Sequence, residues 1–156
     1  MIRAIFLLLI LFISCSSLAD MKMHLFFGEE LMIPANCYFI ARGGHENDFT
    51  CPVEGDRFRG ISFPLVEEEI KRINLKSKEE WNKDFSEKNL DILITEDKQK
   101  TIDDRKHHLR IWEMDGIVHH SYLVCDKRAC ISIFATESAF VRSLVEQFST
   151  KILYDL

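Results

Sequence analysis

The pair Asp115-Gly116, set inside the stretch HHLRIWEMDGIVHH (His107–His120), constrains this chain more than any other feature. A two-residue type I′ turn needs positive φ at both central residues, and Asp-Gly is one of the few pairs that tolerates it. The sequence therefore predicts a tight hairpin whose register follows from the turn. Met114 falls opposite Ile117, Trp112 opposite His119, Ile111 opposite His120, Leu109 opposite Tyr122 and His107 opposite Val124. Because strand side chains alternate, one face carries Leu109, Ile111, Val118, His120, Tyr122 and Val124. The other carries His108, Arg110, Trp112, His119, Ser121 and Leu123. A second turn at Asp126–Ala129 places Cys125 opposite Cys130 and sets Val124, Tyr122 and His120 beside Ile131, Ile133 and Ala135. The result is a three-stranded meander with one apolar face. The stripe Phe140, Val141, Leu144, Val145, Phe148 and Ile152, expected as a helix capped by Thr136, docks on that face.

The same register argues against a metal site. Neighbouring histidines point to opposite sides of the sheet, and same-face partners (His107 with His120, His108 with His119) are offset by about 13 Å along the ladder. Zinc ligands must converge to about 2 Å from one ion. No H-E-x-x-H, C-x-x-C, nucleophile elbow, P-loop or dinucleotide fingerprint occurs, so no metal, cofactor or catalytic residue is assigned.

The compartment is read from the N-terminus. Met1-Ile2-Arg3 carries one positive charge, Ala4–Ile13 is uninterrupted and apolar, and Ser17-Leu18-Ala19 offers small residues before a cut at Asp20. Residues 1–19 read as a secretory signal peptide, leaving one domain at 20–156. A competing reading starts at Phe12-Ile13-Ser14-Cys15, which resembles the cleavage box of bacterial lipoproteins and would put a lipid anchor on Cys15. The apolar run is too short for a membrane span. The expected location is periplasmic or secreted, with an outer-membrane lipoprotein as the alternative. Removing Arg3 from the 20 basic residues leaves 19 against 25 acidic ones, a net charge of −6, and removing Cys15 leaves Cys37, Cys51, Cys125 and Cys130. Four cysteines in an exported chain read as two disulfides, Cys37–Cys51 and Cys125–Cys130, since each pair straddles a turn. The acidic balance argues against nucleic acid as a partner.

Elsewhere, Leu31–Ala41 and Phe49–Val53 flank the turn-rich RGGHEND and read as a hairpin with a long loop. Ile61–Leu65 is a short strand confined by Pro64 to an edge or an end. Val66–Leu75 has helical amphipathic spacing, and Ser77 with Glu80 forms a capping box for a second short helix bearing Trp81 and Phe85. Leu90–Thr95 is strand-like, and Glu96–Asp104 reads as a polar loop. The fold class is α+β: one antiparallel sheet built from an N-terminal hairpin and a C-terminal meander, a central helical segment, and a C-terminal helix on one face.

With no chemistry spelled out, the expected function is protein binding in the cell envelope, specifically an inhibitor or immunity-type protein that masks a basic secreted toxin or hydrolase. The binding face would be Arg110, Trp112, His119 and Phe134, aromatic and arginine anchors on the side away from the core. If the N-terminal strands or the Trp81 helix cover that face, Trp112 becomes core. The rivals are a small hydrolase or nuclease using His119 or His120, and a structural lipoprotein anchored at Cys15.

Overall fold

A computed structural model of the chain describes residues 21–24, 28–41, 47–52, 59–64, 71 and 76–156. The expected signal peptide and nearly all of the helix expected over residues 66–75 lie outside these residues. Nine strands are defined: β1 (Met21–His24), β2 (Glu30–Ile33), β3 (Tyr38–Ala41), β4 (Asn47–Thr50), β5 (Arg59–Ser62), β6 (Ile92–Ile102), β7 (Arg105–Met114), β8 (Ile117–Cys125) and β9 (Cys130–Ala135). Helix α1 (Lys78–Glu87) precedes β6, and α2 (Ser138–Val145) and a 3₁₀ turn (Leu153–Asp155) follow β9. Seven strands form one antiparallel sheet in the order β3-β4-β5-β9-β8-β7-β6, while β1 and β2 make a separate hairpin. This is a single-domain α+β fold.

The meander has the register read from its turns. Asp115 and Gly116 take φ of 52° and 73°, and every pair from Met114–Ile117 to His107–Val124 is as expected. At the next turn the Asp126 carboxylate accepts from the Arg128 and Ala129 amides, and Cys125 faces Cys130. The disulfides are Cys37–Cys51 and Cys125–Cys130. The apolar face packs Leu109, Tyr122, Val124, Ile131, Ile133 and Ile61 against α2, the C-terminal turn, and Leu31 and Ile33 of β2. Arg105 closes this layer with a bidentate pair to Glu29 at 2.7 and 3.1 Å.

Besides Asn47 and Asp48 joining β4 and the strand expected at Ile61–Leu65 running Arg59–Ser62 between β4 and β9, the structure departs from the sequence reading in three places. Glu96–Asp104 is not a loop: β6 runs through it to Ile102, and the turn is Asp103-Asp104, both at positive φ (48° and 61°), which aspartate tolerates better than most residues. A polar run suits a strand here because β6 is the outermost strand, where charge discourages edge pairing. The C-terminal helix starts one residue late, with Glu137 as N-cap and its carboxylate drawn to Arg59. It also stops at Val145 instead of reaching Ile152, as the Gln147 and Phe148 amides tighten into three-residue turns on Leu144 and Val145. Finally, Leu31–Ala41 is two strands broken at Pro34, with the Cys37 amide bonding back to Pro34 O at 3.0 Å. Pro64 follows β5, as its missing N–H requires.

The Ser77 capping box is present with both reciprocal bonds. At the far end of α1, Asn89 at φ 53° completes a paired stop, its amide bonding Ser86 O and that of Leu90 bonding Phe85 O.

Two outcomes follow from this packing. Non-reducing peptide mapping should recover the 37–51 and 125–130 linkages, and removing the first, which spans 14 residues, should cost about 3 kcal/mol against about 2 for the second, which spans five. A Cβ added at Gly60 would lie 2.2 Å from the Phe134 ring. Gly60→Ala should therefore cost about 1–2 kcal/mol in urea unfolding, and most of that cost should vanish in a Phe134→Ala background.

Candidate interaction face of the sheet

The pairings place one row of residues across all seven strands on the side away from the core: Asp97, Arg110, Ser121, Phe134, Gly60, Thr50 and Tyr38. Four of these, Tyr38, Thr50, Gly60 and Asp97, were unanticipated. Tyr38 ends the row on β3, the edge strand opposite β6, and is 52% exposed. Gly60 gives the Phe134 ring a flat seat that any larger residue would fill. Asp97 reaches the row only because β6 shifts register between Ile94 and Glu96. Without that bulge the alternation would bring Glu96 to this face and turn Asp97 away.

Asp97 sits between His108 and Arg110. One carboxylate oxygen pairs with His108 Nε2 and the other accepts from Arg110 at 2.8 Å. Burial alone would raise its pKa, but the hydrogen bonds and charges of His108 and Arg110 hold the carboxyl below the usual range. Above Arg110 lies α1, with the Trp81 ring 6.0 Å from the guanidinium and 5.2 Å from the Lys76 ammonium. The helix is anchored there by Asn82, whose amide donates to Ile94 O at 2.9 Å and accepts from Ile94 N at 2.7 Å, as a neighbouring strand would. Beside it an open cleft of about 450 Å³ is lined by Lys76, Ser77, Lys78, Glu79, Asp97 and Gln99.

Of the residues expected to bind, Arg110, Trp112 and Phe134 are half-buried, while His119 is 3% exposed and stacks on Trp112 with centroids 5.3 Å apart. Arg110 and Phe134 share a row, and Trp112 and His119 lie directly opposite one another nearer the hairpin tip. His120, on the core side, contacts the Tyr154 hydroxyl through Nδ1 at 3.2 Å. His107, also on the core side, has Nδ1 within hydrogen-bond reach of the fully buried Tyr122 hydroxyl, 3.1 Å away. At adjacent positions the sheet thus uses histidine in opposite ways: His108 meets a carboxylate and His107 a tyrosine hydroxyl. Asp97 was missed because its segment read as a loop; the Asp103-Asp104 pair, able to make a turn of its own, was the signal available.

No family model matches the chain, nor does any curated protein. Among solved structures it is similar to cyanobacterial PsbP (CyanoP) from Synechocystis sp. PCC 6803, with a TM-score of 0.56 at 9% identity, covering 86% of this chain and 94% of that one. The likeness is one of fold. A second similarity, to the protein of unknown function PA94 from Pseudomonas aeruginosa, has a TM-score of 0.37 at 14% identity, covering 80% of this chain and 87% of that one, and carries no argument. No described helix is long and apolar enough to cross a membrane, and the two disulfides are compatible with an exported protein.

These environments dictate how stability varies with pH. Burial and the neighbouring Arg105 push the His107 pKa down to about 4, and burial lowers those of His119 and His120 as well. A base whose folded pKa is depressed takes up its proton more readily when unfolded, so its contribution is intact above about pH 6.5 and is lost as pH falls through about 4. The shift at His107 alone corresponds to roughly 3 kcal/mol. Urea midpoints measured between pH 7.5 and 4 should fall steadily, and His107→Gln should flatten much of that slope.

Proposed function

We propose that this chain is an exported protein-binding module, and in particular an inhibitor or immunity-type protein that masks a toxin or hydrolase acting outside the cytoplasm. The supporting observation is the row that aligns Arg110, Phe134 and Tyr38 across the sheet, with Trp112 beside it. Aromatic and arginine side chains are the usual anchors of protein interfaces, and strands hold them more rigidly than loops do. Asp97 fixes Arg110 and Gly60 seats Phe134, so little side-chain freedom remains to be lost on binding. The acidic surface favours a basic partner through faster encounter. Catalysis has less support: His119 is packed against Trp112, and His120 is tied to Tyr154 at the core margin. The location proposed is the periplasm or the exterior, with lipid anchoring at Cys15 as the alternative.

The test is protection of cells that export a toxin or hydrolase encoded beside this chain. The wild-type protein should restore growth. Tyr38→Lys and Trp112→Ala should each weaken protection at least tenfold, with Tyr38→Lys moving stability by no more than about 0.5 kcal/mol because its side chain is exposed. Full protection by both variants would sink the proposed face. A hydrolytic activity that disappears in His119→Ala would replace binding with catalysis.

A further inference from the structure

We propose that His107 is an acid-sensing latch on the C-terminal turn: its neutral imidazole holds the Leu153 backbone through the Tyr122 hydroxyl, and gaining a proton releases residues 152–156 from the core face. The argument rests on who can donate. The Leu153 amide can only donate, and it does so to the Tyr122 oxygen at 2.9 Å. The single hydroxyl proton then finds its acceptor in His107 Nδ1, 3.1 Å away, when that nitrogen carries no proton. A protonated ring turns Nδ1 into a second donor. The hydroxyl then faces two donors, and its own proton loses its acceptor where Tyr122 is 0% and His107 2% exposed. Leaving such a group unsatisfied costs more than an average hydrogen bond returns.

Burial and the charge of Arg105 oppose protonation of His107. Arg105 lies on its own strand, Lys100 is directly opposite on β6, and Asp103 in the turn gives partial compensation. From β8 comes Tyr122, whose own pKa burial raises to about 12, so the hydroxyl keeps its proton throughout. From the C-terminal turn come Leu153, Tyr154 stacked on Tyr122 with centroids 6.0 Å apart, and Asp155, which Arg142 of α2 holds at 3.0 Å. Ile152 and Leu153 are both buried in the main core, so their release bares apolar surface while the strand ladders stay paired.

His120 is not a second sensor. It lies opposite Ile111 of β7 and Ala135 of β9, and its charged or titratable neighbours are Glu96, His119 and Tyr154. Tyr154 makes a single hydrogen bond among the described residues, so a protonated His120 meets no second donor at that hydroxyl. Glu96 also offsets the added charge.

Hydrogen-exchange protection, residue by residue from pH 7.5 to 4, tests the latch. In the wild type, protection at Leu153 and Asp155 should fall at least tenfold more than at Leu109 and Val124, with a midpoint matching the His107 imidazole titration followed by NMR. His107→Gln, which can accept but not titrate, should keep the turn protected at pH 4, and His120→Gln should behave as wild type. Tyr122→Phe should leave the turn unprotected at every pH. Loss of turn and sheet together, or a Leu153 midpoint separate from that of His107 in the wild type, would overturn the proposal even if no variant folds.

Discussion

The register of β7 against β8 is the constraint on which the remaining structure depends. A two-residue turn leaves no slack, and shifting the pairing by one residue would set Leu123 and Ser121 beside Leu109 on the core side in place of Tyr122 and Val124. The Cys125–Cys130 bond locks the opposite end of β8 to β9, so the middle strand of the meander is pinned at both termini. The core then has no choice of partner. Helix α2, the β1–β2 hairpin and the C-terminal turn must meet the face that carries Tyr122.

That alternation gives consecutive histidines different chemistry. His107 points into an apolar layer, where the polar atoms it meets are a tyrosine hydroxyl and, through it, a backbone amide, so it is stable only as the neutral base. His108, one residue on, points to the opposite side and meets a carboxylate that an arginine also holds. Nothing in the local sequence distinguishes the two; the difference is set by the parity of their distance from Gly116.

What was legible in the sequence follows the same logic. Where turn chemistry fixes register, as at Asp115-Gly116 and Asp126–Ala129, pairings many residues away could be read directly, and the Ser77–Glu80 capping box fixed a helix start. What was hidden depended on tertiary partners. An outermost strand is allowed to be polar, so β6 looked like a loop. The stripe from Phe140 to Ile152 is continuous in burial although the helix is not, because a helix that ends and a chain that turns back onto the same core give one pattern. The position of Asp97 on the side away from the core needed the bulge after Ile94, and the line from Arg110 to Tyr38 needed β5 to pair with β9, a long-range choice no local signal announces.

The edges of the sheet show how the fold is kept from extending itself. Asn82 of α1 and Gln147 beyond α2 each present a side-chain amide to a strand backbone, donating to one carbonyl and accepting from one N–H, at Ile94 of β6 and Met32 of β2. A side-chain amide has the donor and acceptor of a peptide unit but cannot propagate a ladder, so it satisfies an edge without inviting a further strand. Along the rest of β6 the alternating Glu96, Lys98 and Lys100 serve the same end by charge. β3 is different: its four residues Tyr38–Ala41 carry no charge, and the chain before it is tied to the chain after β4 by the Cys37–Cys51 bond and by Asn36 donating to Pro52 O. The edge left without charge is therefore the edge where the aligned row ends in exposed Tyr38, an aromatic margin consistent with the proposed binding face.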